Sequence, residues 1–436
     1  MSGYGNDDEQ AQGNPGSGGY GVDSRDNQGG DPSSDTSGII DIQQSRNQAV
    51  RRPERLKFIA GIGVDTMGSI ADASPMDMLR LENLDTDILP DMAVIDRTRL
   101  AVMEDSANSY LPFVGHVNLR DVAASHVSET TGVHYTRDNV VISAGGLSGI
   151  LNTLLATIEV GDEVIVTDPT YAGLLNRIRL AGGVPKTVNF DFSPGDEWHL
   201  DRAGLAAAVT HKTRAMLLMS PSMPTGAVLD YGDWEAVAAL CVKHDLLLIN
   251  DAAMERLLFG RRQVIHPAQF PGMADRTITI GAASKELRMI GWRVGWIVAP
   301  ERFIPDIVAV SLANVVVPVG IAQDAAAVGL ATSLDTLPAY VDELERRADF
   351  IAEELEGLPF GRASGGWSML LRVSDYGLNG SQMAQNLLQL GVCATPMAGW
   401  GQTHGDSYIR FVFANESVER LKGLRAKINS ALEMRA

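Results

Sequence analysis

Cysteine is scarce in this 436-residue chain: there are two, Cys241 and Cys393, far apart and each in apolar surroundings. That excludes a disulfide framework and a thiolate metal site, and both read as buried, reduced thiols. Basic residues are in deficit as well, with 36 Lys and Arg against 54 Asp and Glu and a formal net charge of −18. A nucleic-acid partner would want a basic face, so that class is set aside. A small anionic ligand stays open, because local arginines can overrule the global sign. No apolar run is long enough to span a bilayer. The start of the chain also lacks the basic residues and apolar stretch of a signal peptide, so a cytoplasmic protein without a membrane partner is expected. Residues 1–52 are poor in large apolar side chains and rich in Gly, Ser, Asp, Asn and Gln. Such a segment cannot offset the entropy of folding and is expected to be a disordered tail.

What remains is globular in composition, 45% hydrophobic and 21% charged overall, and long enough for a core and a second domain. From residue 54 onward, strand and helix patterns alternate. Short apolar strands are expected at 140–143, 163–167, 215–219 and 246–250. Helices are expected at 119–129, 148–158, 232–244 and 337–355. This alternation predicts an α/β fold with a large, doubly wound, mostly parallel sheet. From about residue 305 the pattern changes to a long helix, short strands at 367–373 and 408–413, and an amphipathic stretch at 417–434. The expected division is an N-terminal arm at 53–95, a large domain at 96–304 and a smaller α+β domain at 305–436. Asp168, Asp251 and Lys285 all fall just beyond strand ends, where open α/β sheets bind ligands.

Lys285 is the most informative of these residues. It follows the strand-like run Thr277-Ile278-Thr279-Ile280 and precedes Arg293 by eight positions. Burial at a strand end lowers an ammonium pKa, which gives the neutral amine that a Schiff-base lysine needs. Arg293 would supply a fixed cation for a phosphate. Aldehyde and phosphate together point to pyridoxal 5′-phosphate; the plainer alternative is a solvated Lys and Arg around an ordinary loop. Asp251 ends the apolar run Leu246-Leu247-Leu248-Ile249-Asn250, and a buried carboxylate there must have a partner. The run Val141-Ile142-Ser143-Ala144-Gly145-Gly146-Leu147 reads as a strand feeding a helix N-terminus, a place where backbone N–H groups bind phosphate.

These segments, with Ser284-Lys285-Glu286-Leu287-Arg288-Met289-Ile290-Gly291-Trp292-Arg293, resemble the class I/II aminotransferases, the fold-type I enzymes of the aspartate aminotransferase superfamily. Asn108-Ser109-Tyr110, Asp168-Pro169-Thr170-Tyr171 and Tyr408-Ile409-Arg410-Phe411 match in the same order, so the resemblance spans roughly residues 54–436. It implies that pyridoxal 5′-phosphate forms a Schiff base with Lys285 and places its phosphate at Gly146, Leu147 and Arg293, with Ser284 also among the cofactor-binding residues. Tyr171 would stack on the pyridine ring, and Asp251 would keep the ring nitrogen protonated so that the cofactor acts as an electron sink. Arg410 would grip the substrate α-carboxylate. Tyr110 would reach the cofactor phosphate of a neighbouring subunit, which implies a homodimer. The reaction implied moves an amino group from an L-amino acid to a 2-oxo acid. A lyase, cyclase or oxidase with the same cofactor is the alternative, because fold does not fix reaction. The ligand-sensing domain of a transcriptional regulator is a more distant one.

The chain departs from the family pattern at several places. Met223, in Ser220-Pro221-Ser222-Met223-Pro224-Thr225-Gly226, stands where the family has an asparagine that donates to the phenolic O3′ of the cofactor. Met254 stands where many members have a tyrosine that contacts the same oxygen. Methionine offers no donor. Ala282 replaces a small hydroxyl residue that often helps hold phosphate, and Arg288 replaces a small or aliphatic one. Near the start of the folded part, Leu81-Glu82-Asn83-Leu84-Asp85-Thr86-Asp87 takes the place of a Gly-x-Pro-Asp stretch. Glu82, Asp85 or Asp87 could there receive a cationic substrate side chain; the alternative is an acidic loop in an acidic protein. The two methionines carry a testable consequence. A phenolate without donors should hold the imine proton tightly, so a pH titration of the cofactor absorption should find it retained across the neutral range. Loss of that proton at mildly acidic pH would contradict the expectation.

Overall fold

Apolar residues that alternate between two faces build the centre of the molecule. In the computed structural model, which describes residues 53–59 and 61–434, Val164 and Val166 face one helical layer while Ile165 between them faces the other. Leu217 sits on the first face with Ile249, and Met216, Leu218 and Leu248 sit on the second. This period of two, buried on both sides, is what a strand covered by two helical layers requires. The expected tail at 1–52 lies outside the described residues.

A short strand β1 (Leu79–Arg80) leads into the fold. The large sheet uses β2 (Val140–Ser143), β3 (Glu163–Asp168), β4 (Val184–Asp191), β5 (His199–Leu200), β6 (Thr213–Met219), β7 (Leu247–Asp251), β8 (Thr277–Ala282) and β9 (Gly295–Val298). Their spatial order is β2-β9-β8-β7-β6-β3-β4-β5, with parallel pairing throughout β8-β7-β6-β3-β4 and antiparallel pairing by β9 and β5. On one face the helices Gly146–Thr157 and Ala172–Leu180 bury Ile150, Leu154, Leu174 and Ile178 against Val141, Val166 and Ile280. On the other, helix Tyr231–His244 packs Trp234, Val237 and Cys241 beside Met216 and Leu248.

The C-terminal strands are β10 (Phe360–Gly361), β11 (Ser368–Arg372), β12 (Val392–Cys393), β13 (Thr395–Pro396) and β14 (Tyr408–Val412). Four of them form an antiparallel sheet, β10-β11-β14-β13, while β12 pairs with β1 in parallel. Helix Ser333–Glu354 packs Leu337, Leu344 and Ile351 into the same core as Met369, Leu371 and Phe411. Cys241 and Cys393 are buried and free.

One sequence expectation differs from what is found. Helices Ile304–Asn314 and Gly320–Ala331 pack with the large sheet and not with the C-terminal strands. Ile307 shares a core with Ile150 and Ile297, and Ala322, Ala326 and Leu330 pack with Val94, Leu119 and Trp296. The expected amphipathic stretch at 417–434 is two helices, Val418–Leu421 and Leu424–Glu433. They are separated where Gly423 takes a positive φ of 83°.

One strand residue ties the sheet to the turn that opens helix Gly146–Thr157. Gly295 pairs with Ser143 on one side and Ala282 on the other. A Cβ at Gly295 would stand 2.7 Å from the Gly145 carbonyl carbon and 2.9 Å from the Gly146 nitrogen, against backbone that cannot yield cheaply. Gly295→Ala should therefore destabilise the protein by about 1–3 kcal/mol, the usual cost of overpacking. A urea midpoint equal to that of the wild type would contradict this.

Candidate active site

Strand ends and helix starts meet at the C-terminal edge of the large sheet. A cavity of about 220 Å³ opens there, lined among others by Gly146, Leu147, Tyr171, Met223, Asp251 and Lys285. Met254, Ser284 and Arg293 also line it, so these nine residues, all expected from the sequence, are brought together. Ala282, Leu84, Ile290 and Met219 complete much of the wall. Met219 was not expected: its sulfur accepts the Met223 N–H at 3.4 Å, and with Met254 the three thioethers make a wall without side-chain donors.

Asp251 is the last residue of β7 and is 3% exposed. One carboxylate oxygen accepts from the Ala253 N–H at 3.2 Å. Burial pushes its pKa up to about 7, against the pull of that N–H and of Lys285. Lys285 lies in the single turn Ala283–Glu286 that follows β8. Its Nζ donates to the Leu84 carbonyl oxygen at 3.2 Å and sits 3.8 Å from the centroid of the Trp367 ring. Burial, seconded by the charge of Arg410, pushes the amine down to about 7, while Asp85 and Asp251 act in the opposite sense. The amine is thus available in its neutral, nucleophilic form near neutral pH.

The anion-binding elements are contiguous. Gly145 takes a φ of 84° and precedes the helix Gly146–Thr157, so the first free N–H groups of that helix face the cavity edge. A Cβ on Gly145 would lie 2.6 Å from the Arg293 guanidinium, so glycine is needed for that approach. Arg293 donates to Ser284 Oγ at 3.3 Å and to the Ile290 carbonyl at 2.9 Å.

Arg410 does not line this cavity, but its charge reaches both Lys285 and Tyr171. It is fully buried on β14. Its Nη2 donates to the Glu82 carbonyl and to Thr395 Oγ1, each at 2.9 Å, and the guanidinium lies 4.6 Å from the Trp400 ring centroid. Among the described residues, its Nε and Nη1 are buried without a protein acceptor. Burial lowers its pKa, yet a guanidinium stays charged in proteins, so the two open N–H groups call for an anion. Trp400, another residue the sequence did not reveal, also packs 5.2 Å from the Tyr171 ring.

Asp168 is a correction. Although it ends β3, its Oδ2 accepts from the N–H groups of Gln402 and Thr403 at 3.0 and 2.9 Å, which anchors the loop bearing Trp400. It does not line the cavity. The acids near the start of the fold also divide. Glu82 pairs with Arg80 and Asp87 with Arg347, each at 2.7 Å. Asp85 takes the Thr86 N–H at 2.8 Å and lies close enough to act on Lys285. Arg288 is buried, donating to the Leu89 carbonyl at 3.0 Å and lying 4.9 Å from the Tyr340 ring. Tyr110 is 84% exposed and lines a separate open hollow with Val317, Pro318 and Val319.

The chain matches known proteins over most of its length. The family model for aminotransferase class I and II matches residues 80–428. Arginine–pyruvate transaminase AruH of Pseudomonas aeruginosa is 34% identical over 284 residues, covering 64% of this chain and 71% of that protein. Aromatic-amino-acid aminotransferase 2 of Thermococcus litoralis is 29% identical over 76% of this chain and 86% of its own length. Among solved structures, N-succinyldiaminopimelate aminotransferase of Mycobacterium tuberculosis superposes with a TM-score of 0.81 at 27% identity, covering 88% of this chain and 100% of that one.

The raised pKa of Asp251 makes a prediction about stability. A carboxyl whose folded pKa lies above its unfolded value adds stability at low pH and loses it as pH rises from about 4 toward 7. In protein freed of bound ligands, Asp251→Asn should therefore raise the melting temperature at pH 8 and lose that advantage at pH 4. The gain at pH 8 should be on the order of a few kcal/mol. Equal effects at both pH values would contradict the burial argument.

Proposed function

The chain belongs to the class I and II aminotransferase family, and from that membership we propose that it is a pyridoxal 5′-phosphate-dependent enzyme. It would move the amino group of an L-amino acid to a 2-oxo acid. The observation that carries this reading is that Lys285 and Asp251 line one cavity, each buried and each displaced toward neutrality. The residues present fit the group. Gly146, Leu147, Ser284 and Arg293 would hold the phosphate, Tyr171 and the methionines would contact the ring, and Asp251 would meet the ring nitrogen. Lys285 would hold the aldehyde carbon through its neutral amine.

When bound, the cofactor supplies an aldehyde for amine exchange and a ring that withdraws electrons from the substrate Cα. Arg410 orients the substrate by pairing its two open N–H groups with the α-carboxylate. The amine of Lys285 takes the proton from Cα and returns one at C4′, acting as general base and then general acid. Asp251 keeps a proton on the ring nitrogen by remaining anionic beside it. Tyr171, Trp400 and the thioether wall exclude water from the reacting atoms.

Tyr110 would serve the site of a second copy, in a cytoplasmic homodimer. Its exposure in a single chain, with that of Met103, Phe113 and Val319, supports this. The relatives act, by name, on aromatic, acidic and basic donors. Two of the three acids that suggested a basic donor are already paired within this chain, so the donor class is left at an amino acid.

Absorption spectra of the purified protein with single amino acids, in air and without oxygen, test the reading. The yellow band should bleach with a donor and return on addition of a 2-oxo acid. A band that persists through turnover with ammonia release or oxygen uptake would replace transamination with lyase or oxidase chemistry. Arg410→Ala should lower kcat/KM by about 10²-fold or more, the loss expected when a buried charge pair is broken.

A further inference from the structure

Trp367 is the aromatic residue in closest contact with the Lys285 amine, and neither the family match nor the cavity lining assigns it a role. It precedes β11 and is 1% exposed. Its place is fixed on both sides by backbone. The Gly366 N–H donates to the Leu257 carbonyl at 2.8 Å, and Ser368 Oγ donates to the Pro224 carbonyl at 2.8 Å. The Phe413 N–H donates to the Trp367 carbonyl at 2.9 Å, and the ring shares its core with Tyr340. The indole therefore presents one fixed face, and Lys285 Nζ stands 3.8 Å from its centroid while donating to Leu84.

We propose that Trp367 is a positioning residue that receives the ε-ammonium of Lys285 while that group carries the proton it moves. This rests on the proposed acid–base role of Lys285. An ammonium over an indole face is attracted by the ring quadrupole, whereas a neutral amine gains little. The contact thus acts on one protonation state and not the other. Around the same nitrogen, Arg410 and Arg293 oppose a positive charge, while Asp85 and Asp251 favour it. The Leu84 carbonyl accepts one N–H. Trp367 adds a fixed attraction that does not depend on the protonation of a neighbour. Lys285 can then hold a proton taken from the substrate Cα without that proton passing to solvent, and remain within reach of the atom that receives it.

The test uses the full-length enzyme loaded with pyridoxamine 5′-phosphate, in which Lys285 is a free amine. Acetylation of Lys285 by acetic anhydride is followed by mass spectrometry as a function of pH, for wild type, Trp367→Phe and Trp367→Leu. The midpoint for Lys285 should fall by about half a unit to one unit in Trp367→Leu, and by less in Trp367→Phe. In the wild type, the indole fluorescence that is absent from Trp367→Phe should titrate with the wild-type labelling midpoint. That second readout needs only the conservative Trp367→Phe variant to fold, not Trp367→Leu. An unchanged or raised midpoint in Trp367→Leu, or Trp367 fluorescence indifferent to pH across the midpoint, overturns the inference and leaves the role of Lys285 standing. Labelling of Lys285 that is equal in the pyridoxal-loaded and pyridoxamine-loaded enzyme overturns the role of Lys285, and the inference with it.

Discussion

The site depends on charges buried where the protein does not fully compensate them. Among the described residues, Arg410 keeps two nitrogens, Nε and Nη1, without an acceptor, Asp251 accepts from the Ala253 N–H, and Lys285 lies under burial that disfavours its cation. Each is costly in isolation, because a buried polar group without its partner loses hydration and regains little. Each cost also specifies a complement: an anion for Arg410, a cation for Asp251 and an electrophilic carbon for the Lys285 amine. The proposed substrate, an amino acid, and the proposed cofactor, a pyridinium aldehyde, would supply all three. Binding energy that would otherwise be new is thus partly the relief of strain already present in the fold.

The sheet makes this possible by ending several strands at one level. Asp251 closes β7 and Lys285 follows β8, its parallel neighbour, so strand pairing brings two side chains distant in sequence to one edge of the sheet. Arg410 arrives from a different sheet, on β14, and is held by the Glu82 carbonyl and Thr395. Trp400 joins the two parts, lying over Arg410 and against Tyr171. Its loop is in turn fastened to the end of β3 by Asp168. The carboxylate that looked like a ligand is a strut for the wall of the site.

How much could be read beforehand follows from the range of the interactions. The strands declared themselves by local apolar runs, and Lys285 and Asp251 by their position at the ends of such runs. Asp168 has the same local signature as Asp251, and the N–H groups that claim it come from residues 402 and 403. Asp87 stayed open as a substrate ligand because Arg347, which holds it, lies 260 positions away, whereas the partner of Glu82, Arg80, is only two positions away and was overlooked. Helices Ile304–Asn314 and Gly320–Ala331 follow the last strand of the large sheet and so read as the start of a new part, yet their apolar residues pack on that sheet. Trp367 and Trp400 left no local mark at all, since their value lies in what they touch.

The thioether wall can be understood in the same terms. Met219, Met223 and Met254 offer no side-chain donors on one side of the cavity, so the phenolic oxygen of the proposed cofactor would be less well solvated there. The same substitution makes the surroundings of Asp251 less polar, and in a less polar medium the attraction between its carboxylate and a cationic ring nitrogen grows. A ring held in this way would lose stabilisation at its phenolic oxygen and gain it at its nitrogen, so the electron demand at the reacting carbon is supported from the far side of the ring. The depth of Asp251 and the loss of polar donors are therefore coupled features. A methionine wall beside a solvated Asp251 would weaken the proposed electron sink, whereas beside a buried one it would leave that sink in place and move its support to a single carboxylate.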